Sequence, residues 1–300
     1  MHIIGHYKER VRLKESARSG RTAQSYLFSG PQGVGKSLCA LEFACALVGE
    51  ASFEPSTDKP YPFDVLIVRP VEETKHGITK TKGIGVEEIR EALQFLGKYP
   101  VSGKYRVVII EEAHKLTPSA QNALLKTLEE PNASAMMILT THEAGSILPT
   151  IHSRVEHIRF DFVPEDVMTD EGATLFPDQK GAIAPFFFSL GRPGMIVRAY
   201  REPESFTRER ELLGNLFRLS TLSLTERLRT AEKLAADTPL TIRLLEWWLP
   251  GLHTQALKGA DRKIISRFFN LLEQVERTIG LLKTTQSNAR LLLEKLFLSV

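Results

Sequence analysis

Few local sequences restrict a fold as tightly as YLFSGPQGVGKS at residues 26–37, an apolar run that ends in Gly-x-x-x-x-Gly-Lys-Ser. Gly30 and Gly35 let the backbone curl so that successive N–H groups converge on one point, and the stretch Leu38–Leu47 that follows reads as a helix. A helix starting there aims its unpaired N–H groups and its positive dipole end at the same point, as a bound phosphate requires. Lys36 adds a counter-charge, and the Ser37 hydroxyl adds a ligand for Mg2+. The motif predicts a strand, a phosphate-binding loop and a helix in that order, with ATP or ADP and Mg2+ as cofactors.

A second motif, RVVIIEEAHKL at residues 106–116, supplies the complementary acids. Its β-branched run Val107–Ile110 is continuous rather than alternating, as expected of a central parallel strand buried on both faces. At the end of such a strand in a P-loop ATPase, one acid holds the metal's hydration shell and the next polarises the attacking water, which casts Glu111 and Glu112 in those roles. Asp is usual at the first position. The extra methylene of Glu111 would shift the Mg2+ geometry by about an ångström, enough to slow hydrolysis.

Strands are predicted at Tyr26–Ser29, Asp64–Val68, Val107–Ile110 and Met136–Leu139, separated by helices at Ser37–Leu47, Val86–Leu96 and Pro118–Glu130. This alternation implies an α/β fold, an open parallel sheet with helices on both faces and ligands at the carboxyl ends of the strands. Thr117 can cap the third helix, Pro118 suits its first position and Pro131 stops it, with Ala120, Ala123, Leu124 and Leu128 as the apolar face. Ala51–Phe63 and Glu73–Gly85 read as surface loops. Beyond Asp161 the strand signal ends. Val163–Phe176, the apolar Ile183–Leu190 and Met195–Tyr200 suggest a small helical unit. Helices at Phe206–Leu219, Leu224–Ala236, Pro239–Leu249, Arg262–Leu282 and Asn288–Leu298 follow. The expected division is 1–160, 161–203 and 204–300.

Composition narrows the function classes. With 42% hydrophobic and 25% charged residues among 300, the chain is an ordinary globular protein large enough for two or three domains. A formal charge of +3 permits contact with nucleic acid but is not that of a dedicated basic binder. Cys39 and Cys45 lie in the helix after the P-loop, without metal-ligand spacing, and read as core residues. The first residues are broken by charges throughout and no later segment is long and apolar enough to span a membrane, so a cytoplasmic location is expected.

The order of P-loop, acidic strand, helix and strand, with NALLKTLEEP at 122–131 and Ser153-Arg154 after Leu148-Pro149-Thr150-Ile151, closely resembles the AAA+ clamp-loader subunits of bacterial DNA polymerase III. Ile4-Gly5-His6 resembles that family's adenine-side segment, and Asn288–Glu294 looks like the last collar helix of its delta-prime type. The resemblance implies a RecA-like AAA+ domain, a small helical lid and an all-helical collar that joins subunits into a pentameric ring. It also implies that Gly33, Gly35, Lys36 and Ser37 hold phosphates and Mg2+, and that Glu111 and Glu112 are the metal-side and water-activating acids. Thr141 would be the first sensor, and Arg154 would reach into a neighbour's ATP site. The implied partners are the gamma/tau and delta subunits in a heteropentamer, the sliding clamp and, through the complex, primed DNA.

Three departures shape the reading. Val155 replaces the family's cysteine after Ser-Arg, and Ala51–Phe63 carries no match to the family's four-cysteine zinc module, so no zinc is expected. In the lid, Gly194 stands at the position of the second-sensor arginine, leaving Arg192 or Arg198 as substitutes. Weak hydrolysis in a delta-prime-type stator that helps load the clamp is therefore the first expectation, and an ATP-cycling motor subunit of gamma/tau type the alternative. The short length beyond the collar also favours the stator. An AAA+ protein unrelated to replication would share the P-loop without NALLKTLEEP and Ser-Arg.

Overall fold

The computed structural model describes residues 3–50, 61–75, 78–175, 191–258, 262–284 and 288–300. The predicted Ile183–Leu190 segment and most of the Ala51–Phe63 loop lie outside the described residues. The chain divides into two compact units, Met1–Met195 and Ile196–Val300.

The first unit is built on a five-stranded parallel sheet in the order β2-β5-β6-β1-β7, comprising β1 (Ser25–Ser29), β2 (Val65–Val68), β5 (Arg106–Ile110), β6 (Ala135–Thr141) and β7 (Glu156–Arg159). Successive side chains of a strand face opposite ways. Thus Val107 and Ile109 join Tyr26, Phe28, Met136 and Ile138 under α1 (Tyr7–Ser19) and α2 (Lys36–Val48). Val108 and Ile110 join Leu27, Met137 and Leu139 on the other face, under α3 (Val86–Leu96), α4 (Pro118–Glu129) and the short α5 (Pro149–His152). All five residues of β1 and of β5, and all seven of β6, are buried, as their unbroken apolar runs require.

Several expectations are corrected. Glu73–Gly85, expected as a loop, includes most of an antiparallel hairpin of β3 (Val71–Lys75) and β4 (Ile78–Lys82), whose register sets Glu73 opposite Lys80. Antiparallel backbone pairing holds this stretch as a hairpin despite its lack of apolar content. The edge strand β7 and helix α1 went unforeseen, because each buries little: Ile158 in one and Leu13 in the other. After β7 come α6 (Glu165–Leu175) and α7 (Pro193–Arg201), the latter containing the boundary between the units.

The second unit is helical: α8 (Pro203–Phe217), α9 (Leu224–Ala235), α10 (Thr238–Lys258), α11 (Arg262–Thr284) and α12 (Ala289–Leu298). Helix α10 packs along α11, and α9 along α12. Expected to end at Leu249, α10 instead runs through Pro250. An internal proline costs about 3 kcal/mol, and burial of Trp247, Trp248 and Leu252 on either side of it offsets that cost.

Candidate nucleotide-binding site

The loop after β1 is shaped by close approach. At Gly30 (φ 138°) a Cβ would stand 1.9 Å from the Phe160 carbonyl oxygen, so only glycine lets the chain turn there. Gly33 and Gly35, with φ of 80° and 106°, complete the curl, and Lys36 opens α2. The Lys36 ammonium is buried and donates to the carbonyls of Gly30 and Pro31, each at 2.7 Å. Burial, with the nearby Arg192 charge, pulls its pKa to about 8, while Glu112 opposes the shift. Lys36 therefore remains mostly cationic at neutral pH.

Three adjacent strands deliver the walls of one cavity of about 220 Å3. The P-loop after β1 contributes Gly33, Gly35, Lys36 and Ser37; the end of β5 contributes Glu112; the end of β6 contributes Thr141 and, just beyond it, His142. The two acids part company. Glu112 lines the cavity in a left-handed backbone conformation (φ 51°), its carboxylate paired with Lys115. Glu111 is not among the lining residues, and its carboxylate receives Arg69 Nε at 2.8 Å and Nη2 at 3.3 Å. A loop of N–H donors at a helix start, a lysine, a hydroxyl and a carboxylate around one cavity fit a Mg2+-bound nucleotide phosphate chain, with Lys36 and Ser37 as its holders.

Thr141 is buried, and its hydroxyl accepts from the Glu143 amide at 3.0 Å and lies 3.4 Å from His114 Nδ1. The His114 and His142 rings meet edge-on at 4.1 Å, and burial together with His114 pulls the His142 pKa to about 4, leaving it neutral. Sequence reasoning missed both histidines; the only signal for His142 was its place next to Thr141. The amino-terminal segment packs beside the loop, with His6 Nε2 2.9 Å from the Val34 carbonyl and Gly5 N donating to Glu171 at 3.0 Å.

Arg192 and Arg198 have different partners. Arg192 is buried and donates through Nη1 to the Gln32 carbonyl of the P-loop at 2.5 Å, its guanidinium 5.1 Å from the Phe162 ring. Arg198 is committed within the second unit to Glu209, with both oxygens at 2.8 Å. Gly194 donates its N–H to the Gly33 carbonyl at 2.8 Å, and a Cβ there would stand 3.0 Å from that oxygen. A side chain at the position where the resemblance expects an arginine would crowd the P-loop backbone.

Arg154 is not among the cavity's lining residues. It follows α5, where Nη1 donates to Thr150 O at 2.9 Å and Ser153 Oγ at 3.0 Å, and Nη2 pairs with Glu129 at 2.8 Å. The turn leading to it is pinned by a residue that sequence reading passed over: buried Gln121 of α4 accepts from Leu148 N at 2.8 Å and donates to Ser146 O at 3.1 Å.

A parallel sheet that gathers a P-loop, an acid and a buried threonine at three neighbouring strand ends, followed by a helical segment that touches the loop, defines an AAA+ nucleotide-binding fold. Comparison with known proteins narrows the class: the family described as DNA polymerase III, delta subunit, matches residues 6–164, over half of the chain. The chain belongs to this family of AAA+ clamp-loader subunits. It is 33% identical over 178 residues to DNA polymerase III subunit gamma/tau of Mycobacterium bovis, covering 55% of this chain and 29% of that protein. Subunit delta' of Pseudomonas aeruginosa is 31% identical over 142 residues, 44% of this chain and 41% of the relative. The chain thus spans less than half the length of these relatives. A gamma subunit-related protein of Thermotoga maritima aligns over 95% of this chain and 97% of its own, at 20% identity and a TM-score of 0.49.

Proposed function

We propose that this chain is the delta-prime-type stator of a DNA polymerase III clamp loader. In this reading it binds ATP or ADP with Mg2+ at Lys36 and Ser37, turns it over poorly, and donates Arg154 to the ATP site of a neighbouring subunit. The observation that carries the reading is the placement of Arg154: exposed, oriented by two hydrogen bonds and an ion pair, and outside the chain's own nucleotide cavity. A guanidinium so held stabilises phosphoryl charge on a group brought to it by another protein. The diversion of Glu111 to Arg69 and the close approach of the Gly194 backbone to Gly33, which crowds a side chain there, favour weak hydrolysis at the chain's own site. The three-part division into AAA+ domain, lid and collar, a heteropentamer with gamma/tau and delta, and a cytoplasmic place beside the sliding clamp and primed DNA belong to the same reading, with no zinc. Exposed Leu291 and Leu298 on α12 and Phe269 on α11 favour an assembling role for the helical unit.

One observation favours the gamma/tau-type motor instead: the P-loop is intact and Arg192 touches it, so a lid cation is at hand. A loader reconstituted with wild-type ATP-hydrolysing subunits separates the two. With Arg154→Ala in this chain, assembly should be unchanged while clamp- and DNA-stimulated hydrolysis falls by up to about 10³-fold at the affected site, and Arg154→Lys should recover only part. Wild-type hydrolysis by the Arg154→Ala loader would sink the trans-acting assignment.

A further inference from the structure

We propose that Glu129 is a positioning residue for Arg154, holding its guanidinium in the attitude in which it meets the phosphoryl group of a nucleotide bound by the neighbouring subunit. This rests on the reading of Arg154 above. The guanidinium donates two local hydrogen bonds through Nη1, to Thr150 O and Ser153 Oγ, which move with the α5 turn itself. An ion pair, Nη2 to Glu129 Oε1 at 2.8 Å, ties it to α4. Helix α4 is anchored in the sheet core through Leu124 and Leu128, and through Gln121 it also fixes the backbone that leads into α5. Glu129 is therefore the contact that refers the guanidinium, not only its backbone, to the rigid part of the domain.

The pair is suited to orienting rather than sequestering. A guanidinium has five N–H donors. Nη1 makes the two hydrogen bonds and Nη2 faces Glu129, which leaves the Nε donor for a phosphate oxygen. The side chains of Arg154 and Glu129 are 34% and 53% exposed, so the ion pair contributes little to folding and a second ligand has access to the arginine. Arginine has many rotamers, and fixing one in advance removes an ordering cost from the step in which phosphoryl charge develops.

The test uses the same reconstituted loader, reading kcat and KM for clamp- and DNA-stimulated hydrolysis. Displacement by about an ångström costs up to roughly 100-fold in rate, and the two local hydrogen bonds limit the displacement here, so Glu129→Ala should lower kcat about tenfold with KM within about twofold. Glu129→Gln, which keeps shape and an acceptor oxygen without the charge, should fall between Glu129→Ala and wild type. In the double mutant with Arg154→Ala, removing Glu129 should have no further effect, because it acts through the arginine. An Arg154→Ala loader that is impaired beside a Glu129→Ala loader at wild-type kcat would overturn the role of Glu129 and leave that of Arg154 intact. So would a double mutant slower than Arg154→Ala by the full Glu129→Ala factor. A silent Arg154→Ala would overturn both.

Discussion

Lys36 keeps a charge in a buried place because two P-loop carbonyls accept from it, and the same ammonium gives the cavity its attraction for phosphate. Its pKa falls from 10.5 to about 8 on folding, so the unfolded chain holds this proton more tightly. The resulting stability cost is present in full below about pH 8 and fades as pH rises towards 10.5. Lys36→Ala removes both the cost and the counter-charge. At pH 7 the variant should remain folded with a melting temperature near that of wild type, while nucleotide affinity drops by roughly 10- to 100-fold, the loss expected for a charge-assisted phosphate contact. Thermal melts and equilibrium titration with labelled ADP check the two halves; equal affinity in both proteins would make the P-loop a relic.

Helix α4 is the element on which most depends. Thr117 accepts from the Ala120 amide at 3.3 Å, Pro118 takes the first helical position, and the apolar stripe faces the sheet. All three features were legible as residue types at fixed spacings. Thr117→Ala should cost about 1 kcal/mol, measurable as a lower denaturation midpoint at unchanged slope. Because α4 also carries Gln121 and Glu129, the helix that closes one face of the core also places the Arg154 turn. That second duty was not legible: a glutamine in an otherwise apolar stripe does not reveal that its partners lie 25 and 27 residues further along the chain. Strand β7 was hidden for a related reason, since its pairing with β1 comes from a distant part of the chain while its own side chains are mostly polar.

For the molecule as a whole, the strand order β2-β5-β6-β1-β7 brings the loop after β1 and the ends of β5 and β6 together, and leaves Arg154 outside the cavity they enclose. On the stator reading proposed above, a chain arranged this way would hold a nucleotide without having at its own site all that hydrolysis needs. The isolated protein should therefore turn over ATP far below about 1 s⁻¹, the low end for efficient phosphoryl transfer. A steady-state assay showing turnover near that rate, abolished by Glu112→Gln, would favour the motor reading instead.

The P-loop, the acidic strand and the helix caps were determined by sequence alone, because each is a local pattern whose physical meaning lies within a dozen residues: where N–H groups converge, where a buried strand ends, where a helix can start. Tertiary structure decided what depends on residues distant in sequence. It separated Glu111 from Glu112 by placing Arg69 beside the first. It set Arg192, rather than the side chain of residue 194, against the P-loop, since the backbone at Gly194 approaches Gly33 closely enough to crowd a side chain there. It gave Arg154 an acidic partner on α4. Spacing along a chain specifies backbone geometry, but a charge's partner is chosen by packing.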